Sequence, residues 1–304
     1  MLMAKPWRTE ALIRLGLGVL ICVFMGALAT ALLRVLQAGA GGRAALTLSV
    51  IFVGFAALGT ALTLRSRSWG VENSRVRLLL FLACLYIGLT LMAVAQKLTL
   101  ADSSRTGLWQ IFVAGVSFQG AALALIGPFL REHGATWSEA FGLGHERRRA
   151  VLLGLLVAMA FLPLAWLLQM AIAGLLSLLH VNANTQVAVQ ALQDAPTWVQ
   201  RLPLGIVAIV LAPPAEEMLF RGLLYPFVKR AGFPRLALWG TSLLFALVHQ
   251  NLVSFVPLIL LALLLTWLYE RTDNLLAPIA AHSVFNTLNF VALQIFDQTW
   301  SQPR

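Results

Sequence analysis

The sequence predicts an all-α fold: a polytopic transmembrane helix bundle of about eight or nine spans with a polar cavity inside the membrane. Three observations predict it. The 304 residues are 60% hydrophobic and 11% charged, whereas a soluble domain carries roughly 25% charged residues. The apolar residues gather into runs long enough to cross a bilayer. The ionisable residues inside those runs concentrate in the last third of the chain, and at that depth such groups are costly and usually functional.

Nine runs are read, at approximately 15–33, 44–64, 78–96, 106–130, 150–179, 202–228, 236–249, 254–269 and 274–296. They are roughly 14–30 residues long, and the seventh and eighth are short for a span. Ahead of the first run, Lys5 and Arg8 with Ala27-Leu28-Ala29 further on have the outline of a cleavable signal peptide. The run continues to Leu33, however, which is long enough to cross, and it is read as the first span. No stretch between runs is long enough for a soluble domain, and no internal repeat is visible. The chain divides into residues 1–149, N-terminal helices with a basic loop, and residues 150–304, which hold the chemistry.

The net charge of +10 does not imply a nucleic-acid partner, because the basic residues stand singly at the ends of apolar runs, as in membrane proteins. With a cytoplasmic N-terminus, sixteen of the 22 Lys and Arg fall at inner ends. The other six, Arg34, Arg43, Lys97, Arg105, Arg201 and Arg304, fall at outer ends. This bias predicts N-in, C-out, in a multi-pass membrane protein. The loop His180–Gln200 has no Lys or Arg, as an outer loop should. The loop Arg131–Arg149 is basic and carries Trp137 and Phe141, which suits the inner membrane surface. Cys22 and Cys84 lie within apolar runs and read as small buried hydrophobes.

The chemistry-bearing stretch is Leu211-Ala-Pro-Pro-Ala-Glu-Glu-Met-Leu-Phe-Arg-Gly222. Glu217 and Arg221 are i,i+4 and share a helical face. Glu216 is turned about 100° away. Arg221 can therefore neutralise Glu217 and leave Glu216 available for chemistry. Pro213-Pro214 removes two backbone donors and is expected to interrupt the helix just before the glutamates, as happens where a membrane helix lines a cavity. Two further pairs lie at i,i+4: Phe245 with His249, and His282 with Asn286. Glu217 is about 18 Å along a helix from Lys229, His249 about 21 Å from Arg235, and His282 and Asn286 about 14 and 20 Å from Asp273. Polar residues from three runs thus reach a similar depth. Phe245 and Phe285 read as packing, His180 reads as a hydrogen-bonded packing residue, and the loop residues His133 and His145 carry no weight. Ser283 lacks the Gly-flanked elbow of a serine nucleophile.

The series Glu216-Glu217-x-x-x-Arg221, Phe245-x-x-x-His249 and His282-x-x-x-Asn286 resembles the three motifs of the CPBP family, the CAAX proteases and bacteriocin-processing enzymes also called Abi, related to the Rce1-type prenyl protease. The resemblance covers about residues 200–296. It implies an intramembrane endopeptidase whose Glu216 and His249 activate a water, whose His282 and Asn286 stabilise the oxyanion, and whose Glu217 and Arg221 brace the site. The substrate would be a membrane-associated or lipidated peptide or protein, with the bilayer as the other partner. A metal-independent glutamate mechanism with no cofactor is favoured, since Asn286 is a poor zinc ligand and a good oxyanion donor. If zinc were used, Glu216, His249 and His282 would bind it with a water. A non-enzymatic protein of the same fold, for bacteriocin immunity or scaffolding, is the alternative. A transporter is a third class, disfavoured by the absence of an inverted repeat.

The topology is checked by reporter fusions. Fusions at Gln200 and Arg304 should report outside and one at Arg230 inside; a cytoplasmic C-terminus would reject the nine-span reading.

Overall fold

The structure is a computed structural model. It describes residues 7–38, 115–181 and 197–300, with 189, 192, 193 and 195 between them. Among these residues there are eight helices and no strand. They are α1 (Thr9–Ala38), α2 (Val116–Gly120 continued by Ala121–Glu132), α3 (Trp137–Phe141), α4 (Arg147–Leu178), α5 (Trp198–Arg230), α6 (Pro234–Val248), α7 (Leu252–Thr272) and α8 (Leu276–Trp300).

Four of the described helices, α4, α5, α7 and α8, are long and apolar enough to cross a membrane, the last of them over Leu276–Ile295. They correspond to the runs expected at 150–179, 202–228, 254–269 and 274–296. The run at 236–249 is α6, apolar but only 15 residues long, or about 22 Å. The run at 15–33 lies within α1. The runs at 44–64 and 78–96 and the first part of that at 106–130 lie outside the described residues. The chain is an integral membrane protein whose described part is all-helical.

Contacts divide the chain into two units. The smaller is Arg8–Ile126, in which α1 packs against the turn Val116–Gly120. The larger runs from Gly127 and includes Trp7, whose ring meets Phe129 and His133 at 5.1 and 5.2 Å between centroids. All residues of the expected site belong to this larger unit.

In the larger unit α4 and α8 share the most extensive contact among the described helices. Gly154 makes this possible, since a Cβ there would overlap the Ala277 carbonyl of α8. α6 packs on α7 and on the later half of α5. Phe161, Leu162, Phe220, Phe245, Leu261, Leu265 and Phe285 fill the space between these helices. Burying each such side chain contributes roughly 1.5–3 kcal/mol relative to water; within a bilayer the gain comes from close packing instead.

The expected interruption of α5 at Pro213-Pro214 does not occur. α5 runs unbroken, and it widens instead: Ile206–Leu211 and Met218–Leu224 adopt π-helical turns on either side of Ala212–Glu217. A wider turn accommodates the proline rings and re-aims the residues that follow. Such turns occur often at functional sites.

The loop Arg131–Arg149 is folded. Thr136 and Glu139 cap α3 reciprocally. Gly142 ends it at φ 68°, where a Cβ would also collide with the Asp273 carbonyl. Phe141, expected at the membrane surface with Trp137, is instead wholly buried, and Trp137 is the exposed member of the two. The space for Phe141 exists because Gly222 on α5 has no side chain; a Cβ there would lie 2.5 Å from the ring. The loop is then tied to the α7–α8 turn. Leu275 N–H donates to Phe141 O at 2.9 Å, and the buried Asn274 donates through Nδ2 to His145 O.

Close helix approach at Gly154 yields a direct test. Gly154→Ala should destabilise the protein by about 1–3 kcal/mol, read as a lower melting temperature in detergent, whereas Gly174→Ala, with nothing near its Cβ position, should have no such effect.

Candidate active site

Arg221 is the centre of the buried polar residues, at 1% exposure, with Glu217 at 0%. Its Nη1 donates to Glu217 Oε1 at 2.9 Å and its Nη2 to the Ala262 carbonyl of α7 at 3.0 Å. Its guanidinium carbon lies 4.6 Å from the centre of the Phe245 ring, within range of a cation–π contact. The i,i+4 pairing expected from the sequence is therefore present. Glu217 also receives a second donor from α8, His282 Nδ1, at 2.9 Å from the same Oε1.

Those bonds fix the ring of His282. A carboxylate can only accept, so Nδ1 carries the proton and donates, which leaves Nε2 on the far side of the ring. That nitrogen lies 4.0 Å from Glu216 Oε2. His249 follows the same logic. α6 ends here, because Gln250 turns to φ 50° and Asn251 caps the start of α7 by accepting Ser254 N–H at 2.8 Å. His249 Nδ1 donates to the Phe245 carbonyl at 2.7 Å, one of the carbonyls a helix end leaves unpaired. Its Nε2 then also lies 4.0 Å from Glu216 Oε2.

Two imidazole nitrogens from two helices thus converge on one carboxylate oxygen of a third. Glu216 Oε2 is buried and takes no hydrogen bond among the described residues. His249 is the most accessible member, with 22% of its side chain exposed, against 10% for Glu216. Phe245 is fully buried behind them, edge-on to Phe220 at 5.4 Å and to His282 at 5.6 Å. The packing expected for Phe245 is what it does.

Asn286 is placed differently from the rest. Its Nδ2 donates to the Ala208 carbonyl of α5 at 2.8 Å, which uses one of its two amide hydrogens. Sequence reasoning missed this bond, and also missed the Ala262 carbonyl, Phe220 and the seat that Gly222 provides for Phe141. Pro213, three residues before the carboxylate pair, was the available signal for a carbonyl one turn back in need of a donor.

Imidazole and carboxylate are suitable zinc ligands, but the 4.0 Å separations exceed the roughly 3.4 Å between ligands of a tetrahedral zinc with bonds of 2.0–2.1 Å. Among the described residues no three His, Cys, Asp or Glu side chains are spaced to hold a metal ion.

The part of the chain that holds these residues is similar to known proteins. Residues 197–288 match the family described as type II CAAX prenyl endopeptidase Rce1-like. The chain is 29% identical over 107 residues to "UPF0177 protein YxdF" of Lactococcus lactis subsp. lactis strain IL1403, covering 35% of this chain and 56% of that protein. It is 34% identical over 91 residues to "Uncharacterized protein YpbD" of Bacillus subtilis strain 168, covering 29% and 44%. It is 26% identical over 106 residues to "Putative membrane peptidase YdiL" of the same organism, covering 35% and 41%. The matched segment spans about half the length of these relatives. No solved structure matches. The resemblance read from the three motifs is borne out over residues 197–288.

The two glutamates should respond differently to substitution. Glu217→Gln leaves Arg221 buried without its counter-charge and should cost about 3–5 kcal/mol of stability, seen as loss of folded protein on size exclusion. Glu216→Gln should accumulate and extract like wild type. Equal loss in both would refute this division of roles.

Proposed function

We propose that the chain is an intramembrane endopeptidase that hydrolyses a peptide bond of a membrane-associated or lipidated substrate, using water activated by Glu216 and His249. The observation that carries this reading is the convergence of His249 Nε2 and His282 Nε2 on Glu216 Oε2, each at 4.0 Å, while Glu217 is engaged by Arg221 and His282. A water at about 2.8 Å from both Glu216 Oε2 and His249 Nε2 would subtend about 90° between them, near the angle between its own two O–H bonds. Both groups accept, so the water donates twice and directs a lone pair outward.

In this mechanism the water oxygen attacks the peptide carbonyl carbon and its proton passes to Glu216, which acts as general base. The carbonyl becomes a tetrahedral oxyanion. Asn286 donates its remaining amide hydrogen to that oxygen. His282 can donate through Nε2 only when its ring carries both protons, and the resulting charge lies 2.9 Å from Glu217 and faces the oxyanion. Glu216 then returns the proton to the leaving nitrogen as the C–N bond breaks. Arg221 holds Glu217, and through it the His282 ring, in place. The mechanism requires no cofactor. The protein would work in a bacterial inner membrane with its N-terminus in the cytoplasm.

The test is cleavage by the purified full chain in proteoliposomes, with a quenched fluorescent peptide ending in a prenylated cysteine motif and its unprenylated counterpart. Glu216→Gln should abolish turnover. Asn286→Ala should lower kcat by about 10²–10³ with little change in KM. Loss of activity on chelation, restored by zinc alone, would overturn the metal-independent mechanism, and an active Glu216→Gln variant would overturn the role of Glu216 as general base.

A further inference from the structure

The bond from Asn286 to Ala208 has a cause in the sequence of α5. In an α-helix the Ala208 carbonyl would accept the N–H of Ala212. Here the Ala212 N–H goes one residue further back, to Val207 O, in the widened register. The next donor in that register, and the one that would reach Ala208, is at position 213. Position 213 is proline and has no N–H. The Ala208 carbonyl is thereby left for a donor from outside the helix, and Asn286 Nδ2 from α8 supplies it at 2.8 Å.

We infer that Pro213 is a positioning residue for Asn286. By carrying no N–H, it commits one amide hydrogen of Asn286 to the Ala208 carbonyl. The amide group is planar, so fixing one hydrogen fixes the direction of the other. The second hydrogen is the one the proposed mechanism directs to the oxyanion, so the catalytic part of this inference rests on that mechanism. Pro214 differs in this respect. Its missing N–H would have faced Ile209 in the widened register or Val210 in the α register, and neither accepts from Asn286.

The prediction is a coupling. Pro213→Ala supplies a backbone donor aimed at Ala208 and makes the Asn286 bond dispensable. In the native background, Asn286→Ala leaves that carbonyl without its donor and should lower the melting temperature of the detergent-purified full chain by on the order of 2–4 °C. In a Pro213→Ala background the same substitution should lower it by less than about 1 °C. In a Pro214→Ala background the full loss should remain. Pro213→Ala alone should melt at or above the native temperature, since alanine is the better helix former. Yet its kcat on the quenched prenylated peptide should fall about tenfold with KM unchanged, part of the 10²–10³ lost when an oxyanion donor is removed.

A purely structural proline would move stability and turnover together. Melting losses that simply add in the Pro213→Ala, Asn286→Ala double variant would overturn the pairing. A preserved kcat in Pro213→Ala, with the coupling present, would overturn the positioning role. The coupling is read from stability alone and does not depend on peptide cleavage. A native chain that cleaves neither peptide would overturn the proposed function, and with it the catalytic consequence.

Discussion

Arg221 and Glu217 bury opposite charges side by side in an apolar bundle, and the rest of the site is arranged around making that arrangement tolerable. An unpaired charge in such surroundings is very costly, so each partner is surrounded by groups that answer it. The guanidinium has Glu217, the Ala262 carbonyl and the Phe245 ring. The carboxylate has Arg221 and the Nδ1 hydrogen of His282. A single Oε1 atom takes both donors and so ties α8 to α5, and the ring of His282 has its tautomer and its direction set by a bond on the side away from Glu216. The adjacent glutamate is thereby left as the carboxylate that faces two imidazoles without a competing partner among the described residues. One glutamate holds Arg221 and His282 through Oε1, and its neighbour is left to face the imidazoles.

Backbone geometry serves the same end. Two prolines just before the glutamates would be expected to break α5, but the chain absorbs them by winding more widely in the preceding turn, Ile206–Leu211. Carbonyls that lose their donors in this way cannot turn to water within a bilayer. They need side-chain partners from neighbouring helices, and Asn286 is one. The aromatic packing is equally economical. Phe245 lies against Arg221 on one side and His282 on another, while its own carbonyl holds His249.

Much of the local chemistry was legible in the sequence. The i,i+4 spacing alone gave Glu217 to Arg221 and put Glu216 elsewhere, and equal depth along three helices predicted that His249 and His282 would meet it. The spans at α4, α5, α7 and α8 followed from hydropathy. What was not legible depends on contacts between distant positions. The His282–Glu217 bond joins residues 65 apart, and the Asn286–Ala208 bond residues 78 apart. No periodicity carries such information. The widened turns were hidden because proline signals a lost donor without saying whether the helix breaks or stretches. Phe141 was misplaced because a Trp-and-Phe loop between charges has the composition of a membrane-surface segment, and only the absence of a side chain at Gly222 decides otherwise.

The shortness of α6 has a consequence for the lipid around the protein. At about 22 Å it falls well short of the roughly 30 Å hydrocarbon core of an average bilayer, while its partner α7, at 21 residues, reaches about 31 Å. His249 stands at the end of the shorter member. If α6 lies across the membrane, the lipid chains beside it have to compress or tilt further than those beside α7. The elastic state of the membrane would then act on the end of α6, where His249 stands, and lipids of longer chain length would press harder on it than shorter ones.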